Sequence, residues 1–387
     1  MADLVLVGGG HAHLFVLEAL SQRPLGAGRV LLVSDRRHSI YSGMVPGVLE
    51  GRYRLQEAEL DLAPLAQRAG VEVLWQSVRG LDPLGKTVLL SSGERLAYQV
   101  LSLDIGSSVL GLDRPGVLQH AIPSRPIRAF VETVESQVQS WRDSESKAVR
   151  IAVVGAGAAG LEVSTCLQWR LRSEGIAAEI HLFHSQERLL PERGPFLNPI
   201  LRRFLNRRGV VLHDKTPIQA LRPGFLLSET GKSFAADWTL WLTGAAPQPG
   251  FQSTSLVTDS QGFLQIRNTL QLRGHEDLFA AGDCASLGNP PPAKAGVYAV
   301  RQGPILAHNL LAKLQGKTLK KYRPQSDFLV LLNLGGGQAV GCKWGFPLLG
   351  GWVMPWKDRI DRRFMQRFRY MDSAPTQNEN SLGPAKN

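Results

Sequence analysis

The chain has 387 residues and a net charge of +11, from 44 Lys and Arg against 33 Asp and Glu. That length supports two or three domains with sizeable cores, and 43% hydrophobic content is ordinary for a soluble globular fold. No apolar run reaches the ~18–20 residues that span a bilayer, nothing ahead of the first apolar run reads as a secretory leader, and no nucleic-acid motif accompanies the basic charge, so nucleic acid is set aside and anionic surfaces or acidic ligands fit better.

In chain order, the first apolar run, Leu4–Val7, reads as a strand and meets Gly8-Gly9-Gly10-His11-Ala12-His13. A strand, a tight glycine turn and a helix N-terminus form a pyrophosphate cradle, because glycine lets the backbone approach and the helix end offers free N–H groups. His13 stands where a third glycine is expected, which should hold the helix slightly further from the strand. A second run, Arg29–Ser34, ends in Asp35, 25 residues after Gly10, where a ribose-binding carboxylate belongs. Residues 40–47, with Gly43, Pro46 and Gly47, read as a punctuated turn. Residues 102–107 read as a strand closing on Gly106, and residues 141–150 as a surface connection.

The glycine turn then recurs. Ile151–Val154 leads into Gly155, Gly157 and Gly160, a complete G-x-G-x-x-G, with Glu162 following on the helix. The next strand, Glu179–Phe183, ends at His184, with Arg188 close behind. A carboxylate there would favour NADH; His184 and Arg188 do not repel a 2′-phosphate, so NADH and NADPH both stay open, tilted toward NADPH. Residues 240–244 close on Gly244, and the strand Leu278–Ala281 ends in Gly282-Asp283, whose carboxylate can accept from a sugar-chain hydroxyl. Two cradles suggest two dinucleotides, with electrons passing from one to the other. The cysteines, Cys166, Cys284 and Cys342, stand far apart without Cys-x-x-Cys or metal-ligand spacing, which points to a reducing compartment and away from a dithiol centre.

The ordered set of two glycine turns, two crossovers and a late Gly-Asp resembles the two-dinucleotide-binding flavoproteins of the pyridine nucleotide–disulfide oxidoreductase superfamily, across about residues 4–303. The first crossover departs from that pattern, with Asp104-Ile105 in place of Ala-Thr. The resemblance implies FAD at Gly8, Gly10, His11, Asp35, Arg36, Gly106, Gly282 and Asp283, and NADH or NADPH at Gly155, Gly157, Gly160, Glu162, His184 and Gly244. Residues 40–47 are similar to the Tyr–Pro stretch that runs past the flavin in type II NADH dehydrogenases and sulfide:quinone oxidoreductases, which gives Pro46 a catalytic place. The helix after Lys294 is implied to aim its N-terminus at the flavin, with Lys294 stabilising negative charge. Gln302 matches half of a quinone-linked Gln pattern. Sulfide chemistry is disfavoured by where the cysteines fall.

Over nearly its whole length the chain is similar to type II dehydrogenase-like flavoproteins often fused to selenophosphate synthase. Gly-Gly-Gly-His-Ala-His, Tyr-Ser-Gly-Met-Val-Pro-Gly and Trp-Lys-Asp-Arg-Ile-Asp-Arg-Arg-Phe-Met carry that likeness. The expected fold is α/β, with two Rossmann-like domains, the second inserted in the first. Residues 1–120 and 246–323 form the FAD domain, 121–245 the NAD(P) domain, 324–370 a C-terminal segment and 371–387 a disordered tail. The expected activity is hydride transfer from NAD(P)H to flavin and onward to an acceptor such as a quinone. The competing reading is a redox-sensing or docking module for selenophosphate synthase. In the C-terminal segment Ile360, Phe364 and Phe368 share a helix face and Trp344, Trp352 and Trp356 precede it among basic residues. That pattern suits a membrane interface, packing on the FAD domain, or a homodimer contact. The expected location is cytoplasmic, at the membrane's inner face if the segment binds lipid.

Overall fold

The computed structural model describes residues 1–143, 148–251, 255–288 and 290–373, with side chains to Arg369. The segment expected to be a disordered tail lies outside these residues from 374 onward.

Ala2–Val7 is the first strand and lies inside a parallel sheet in the order Glu72–Leu74, Val30–Val33, Ala2–Val7, Arg95–Leu103. All four residues of Val30–Val33 are buried, the pattern of a parallel strand covered on both faces. Leu278–Ala280, far along the chain, adds parallel to Arg95–Leu103. The register sets Val7 beside Val33 and Leu103, and Leu103 beside Ala280. Four strand tips therefore end level, and the turns after them open on one edge, the usual ligand edge of such a sheet. A hairpin, Val78–Asp82 with Thr87–Leu90, extends this sheet in the antiparallel sense.

A second parallel sheet runs Ile122–Pro123, Trp238–Trp241, Val149–Val154, Ala178–Phe183, Val211–His213. Its tips Val154, Phe183 and Trp241 are also level. The helix Ala158–Ser173 follows the second glycine turn. There Gly155 adopts φ +110, and a Cβ on Gly160 would stand 1.7 Å from the Gly155 carbonyl oxygen, so only glycine lets the helix seat this closely. Two Rossmann-like units thus stand in one chain, the second lying in sequence between parts of the first sheet.

The long helix Gly296–Leu314 packs along the first helix, His11–Gln22. The contact is tight: a Cβ on Gly303 would lie 2.3 Å from the Phe15 ring. Beyond it come an antiparallel sheet, Val330–Asn333, Ala339–Lys343 and Phe346–Leu348, and a final helix, Val353–Ser373. The face expected from Ile360, Phe364 and Phe368 divides. Phe368 is fully buried against Phe15, and Phe364 stacks on Tyr41 with ring centroids 4.4 Å apart. Ile360 stays 40% exposed. Packing on the first unit accounts for two of the three.

Candidate functional site

The level turns of the first sheet enclose a cleft of about 440 Å³, a size typical of small-molecule and cofactor sites. Gly8, Gly10, His11, Asp35, Arg36, Gly106, Gly282, Asp283 and Lys294 all line it. Residues separated by almost 290 positions are brought together because Leu278–Ala280 joins the sheet beside Arg95–Leu103. Gly155, Gly157, Gly160, Glu162, His184 and Gly244 lie away from this cleft, around the second sheet. Pro46 also stands apart from the cleft wall, buried at the start of the short helix Val45–Leu49.

His13 does more than space the first helix from its strand. Its side chain is 1% exposed, with Nδ1 2.6 Å from the Gly8 carbonyl and Nε2 2.8 Å from Ser102 Oγ. Burial lowers its pKa to about 4, so the ring is neutral. Nδ1–H then donates to Gly8, and Nε2 accepts from the Ser102 hydroxyl. The ring stitches the glycine turn to the neighbouring strand.

Asp104, the departure in the first crossover, is buried across from that turn. Its Oδ2 accepts from the backbone N–H of Ala12 at 2.7 Å and of His13 at 3.0 Å. Burial pushes this carboxyl up to about 7 against those two hydrogen bonds. His11 donates Nε2–H to the Ile40 carbonyl at 3.2 Å and is held below the usual imidazole range by burial. Asp35 and Arg36 stand half-exposed at the far end, 3.8 Å apart.

On the other lip, Asp283 accepts from Arg125 Nη2 at 2.9 Å. Arg125 also donates to the carbonyl and hydroxyl oxygens of Ser107. Sequence reading missed Arg125, which no motif marks. Gln302 is buried, and its Oε1 accepts from the Gly282 N–H at 2.7 Å, so it holds the Gly-Asp turn. Lys294 donates to the Ala285 carbonyl at 2.6 Å and lies over the Phe263 ring. The N-terminus of Gly296–Leu314 does face the cleft, through Ala295, Gly296 and Ala299. These features fit a dinucleotide: glycine turns at helix starts, a carboxylate after the second strand, and open room at Gly106, where a Cβ would meet nothing within 4 Å.

Around the second sheet, a Cβ on Gly157 would likewise project into open space, at a helix N-cap without a side-chain partner. His184 is buried, its Nε2–H donating to the Arg188 carbonyl at 2.9 Å, so its imidazole serves the local turn. Glu162 is partly buried and accepts from the Asn333 N–H at 2.8 Å. Burial pushes it up to about 7, opposed chiefly by the Lys357 ammonium.

That lysine belongs to a buried polar cluster that sequence reading did not find. Lys357 and Asp361, one helical turn apart, pair at 2.9 Å and are 6% and 4% exposed. Lys357 also donates to the Gly43 carbonyl at 2.8 Å, and the Tyr41 hydroxyl donates to Asp361. Burial works to lower the ammonium, but Glu162 and Asp361 together outweigh it and hold Lys357 above its usual range. Asn333 extends the cluster to Glu50 through Nδ2 at 2.7 Å. The i,i+4 spacing of Lys357 and Asp361 was visible, but only the tertiary contact with Glu162 and Tyr41 distinguishes it from a solvated helix pair. Burial also pushes the Cys284 thiol up to about 12 and Cys166 upward, so neither is a ready thiolate.

A family model described as pyridine nucleotide-disulphide oxidoreductase matches residues 2–309. The chain is 31% identical over 277 residues to ferroptosis suppressor protein 1 of Taeniopygia guttata, covering 68% of this chain and 69% of that one. It is 25% identical over 363 residues to the alternative NAD(P)H-ubiquinone oxidoreductase C1 of Arabidopsis thaliana, covering 83% and 69%. In fold it is similar to NDH2 from Plasmodium falciparum in complex with NADH, with a TM-score of 0.76, 13% identity, and 96% and 99% of the two chains covered. The match over most of the chain, with the two glycine turns on level strand tips, makes the protein a member of the pyridine nucleotide-disulphide oxidoreductase family.

Proposed function

We propose that this protein is an FAD-dependent NAD(P)H oxidoreductase that delivers electrons to a quinone. The single observation that carries the reading is the cleft in which Gly8, Gly10 and Asp35 meet Gly282 and Asp283. Support for the acceptor comes from a relative named as an NAD(P)H-ubiquinone oxidoreductase. The cleft residues would hold FAD, with Asp35 at the adenosine ribose and Asp283 at the sugar chain. Gly155, Gly157 and Gly160 would admit the NAD(P)H diphosphate, with Gly244 at the crossover opposite. The division into an FAD domain (1–120 and 246–323), an NAD(P) domain (121–245) and a C-terminal segment (324–370) is part of the same reading.

When bound, FAD supplies the means to accept a hydride and hand electrons on. The chain binds, aligns and excludes water. Pro46 backs the turn 40–47, and Lys294 adds positive charge beside a helix N-terminus at the cleft. Reducing a quinone by a hydride also consumes one further proton. Glu162 is suited to hold it at its carboxyl, because burial makes it a weak acid titrating near neutrality, and Lys357, Asp361 and Tyr41 line the route beyond it. Acceptor reduction should then slow as pH rises past about 7, where that carboxyl loses its proton. Glu162→Gln should lower kcat with quinone roughly 10-fold or more and flatten that limb, while anaerobic flavin bleaching by NAD(P)H persists. An unchanged pH profile would remove Glu162 from this role. NADH and NADPH compared in the same stopped-flow mix settle the donor; no bleaching by either would sink the oxidoreductase reading.

A membrane surface is the place proposed for the acceptor. Among the described residues, no helix is long and apolar enough to cross a membrane. Trp344, Phe346, Trp352, Trp356 and Ile360 are nevertheless exposed, and aromatics beside Arg359 and Arg363 suit an interfacial contact. The motif likeness to chains fused to selenophosphate synthase is the support for a link to selenium metabolism, and co-purification with such a synthase tests it.

A further inference from the structure

Strand Val211–His213 is the outer edge of the second sheet, paired on one side only, with Ala178–Phe183. So short an edge strand has few ladder bonds, and its cross-strand side-chain pairs decide how firmly it sits. Its last residue, His213, lies diagonally across from His181, with His213 Nε2 2.9 Å from His181 Nδ1. The two rings are stacked at 19°. Phe183 stacks on His213 with ring centroids 4.6 Å apart, and Phe234, from the strand Ser233–Ala235, meets it edge-on at 5.1 Å.

The bond between the rings holds a single proton. Glu179 Oε2 stands 3.7 Å from His181 Nε2, which favours the proton of His181 on that nitrogen and makes Nδ1 the acceptor of His213 Nε2–H. A further proton on His181 has only Nδ1 to go to. There it sets N–H against N–H at 2.9 Å, and the bond ends. His213 is no better a home for that proton: burial and the neighbouring His181 hold it below the usual imidazole range, against the pull of Asp214. Asp214 is itself taken by Arg202, at 2.8 Å, from the helix Leu197–Arg208. Glu179 and Asp214 are thus the carboxylates that act on the pair, with Arg202 the cation behind Asp214.

His213 and the residues after it also hold the turn that follows the strand Ala178–Phe183. The His213 carbonyl takes the His184 N–H at 2.9 Å, and the Thr216 N–H donates to the His184 carbonyl at 2.8 Å. The Lys215 N–H donates to the Gln186 carbonyl at 3.1 Å, and its ammonium pairs with Glu187 at 3.1 Å. In a Rossmann-like unit the turn after this strand receives the adenosine ribose of the nucleotide. Any shift of His213 is therefore passed directly to that turn.

We propose that the His181–His213 pair positions the adenosine half of the NAD(P)H donor, holding the turn 184–188 in its binding form while the pair is neutral and releasing it when the pair takes a proton. The inference rests on the reading of the second unit as the NAD(P)H site. The hold is complete at neutral pH and is lost as pH falls through the imidazole range, so donor affinity falls in acid. Neither ring takes part in hydride transfer, and the limiting rate at saturating donor does not depend on them.

The test is anaerobic flavin bleaching in the full-length holoprotein, read as the donor concentration for half-saturation at pH values from about 7.5 down to about 5.5, where imidazoles titrate. In the wild type that concentration should rise roughly threefold or more toward the acid end. ADP-ribose, used as a competitor, should weaken in step. Reduced nicotinamide mononucleotide, a donor without the adenosine half, should show no such rise. His213→Phe fills the space beside Phe183 and Phe234, does not titrate, and should flatten the rise while matching the wild-type limiting rate at each pH. His213→Gln, whose amide can donate to or accept from His181, should flatten it too and covers the case in which the Phe variant folds poorly. A wild-type rise kept by both variants, or a flat wild-type profile, would overturn the inference. So would a lowered limiting rate with unchanged half-saturation, which marks a role outside donor binding. A wild-type flavin bleached by neither NADH nor NADPH would instead overturn the donor-site reading itself.

Discussion

His13 and Gly303 show how much a single position decides. His13 replaces the third glycine, yet the turn closes, because the ring fills the space and pairs both nitrogens. His13→Ala leaves a cavity and two unmatched partners and should cost roughly 2–4 kcal/mol in denaturant unfolding. The same ring sets a pH dependence. Its folded pKa, about 4, lies below the unfolded value of 6.5, so protonation favours the unfolded chain. The stability it contributes is complete above pH 6.5 and is lost as pH falls toward 4, on the order of 3 kcal/mol. A His13→Asn variant should show a flatter melting profile across that window; an unaltered profile would mean that other groups set it.

At the scale of elements, the helix pair His11–Gln22 and Gly296–Leu314 depends on Gly303, where the Phe15 ring takes the space of a side chain. Gly303→Val should force the helices apart, cost about 1–3 kcal/mol or more, and loosen flavin because both helices begin at the cleft; a normal melting temperature would count against the close contact. The final helix carries two separable duties. Phe368→Ala should lower stability by roughly 3–5 kcal/mol, since the ring is fully buried. Replacing the exposed Trp352, Trp356 and Ile360 with Ser should leave the melting temperature nearly unchanged but reduce sedimentation with anionic vesicles. Equal vesicle binding by that variant would leave the aromatic face without a membrane role. Removal of everything after Tyr322 would confuse the two, because it also strips Phe368 and the Lys357–Asp361 pair from the interior.

For the whole molecule, the order of motifs along the chain was legible because each strand–glycine–helix unit is local: an apolar run, a turn only glycine allows, and a helix start. Those units foretold two Rossmann-like folds and most of the cleft wall, including Asp35 and Gly282-Asp283. Local pattern could not show which side chains would turn inward. Asp104 was visible as a departure from the family pattern, but not as a helix cap. Gln302 looked like an acceptor-site residue and holds a backbone turn. Glu162, Lys357, Asp361 and Tyr41 are spread over 320 residues and become one buried cluster only when the last helix docks on the first unit. The antiparallel hairpins of residues 78–90 and 218–235 carry their turn signals in Asp82-Pro83-Leu84-Gly85 and Pro223-Gly224, but nothing local says what their strands pack against. The sequence by itself determined the fold class and the family, because backbone conformation at glycine turns and strand burial are set by neighbours a few residues away. The tertiary structure decided which charges are buried together, which cation faces the cleft and which aromatics stay outside, because those depend on contacts between segments that the chain order keeps far apart.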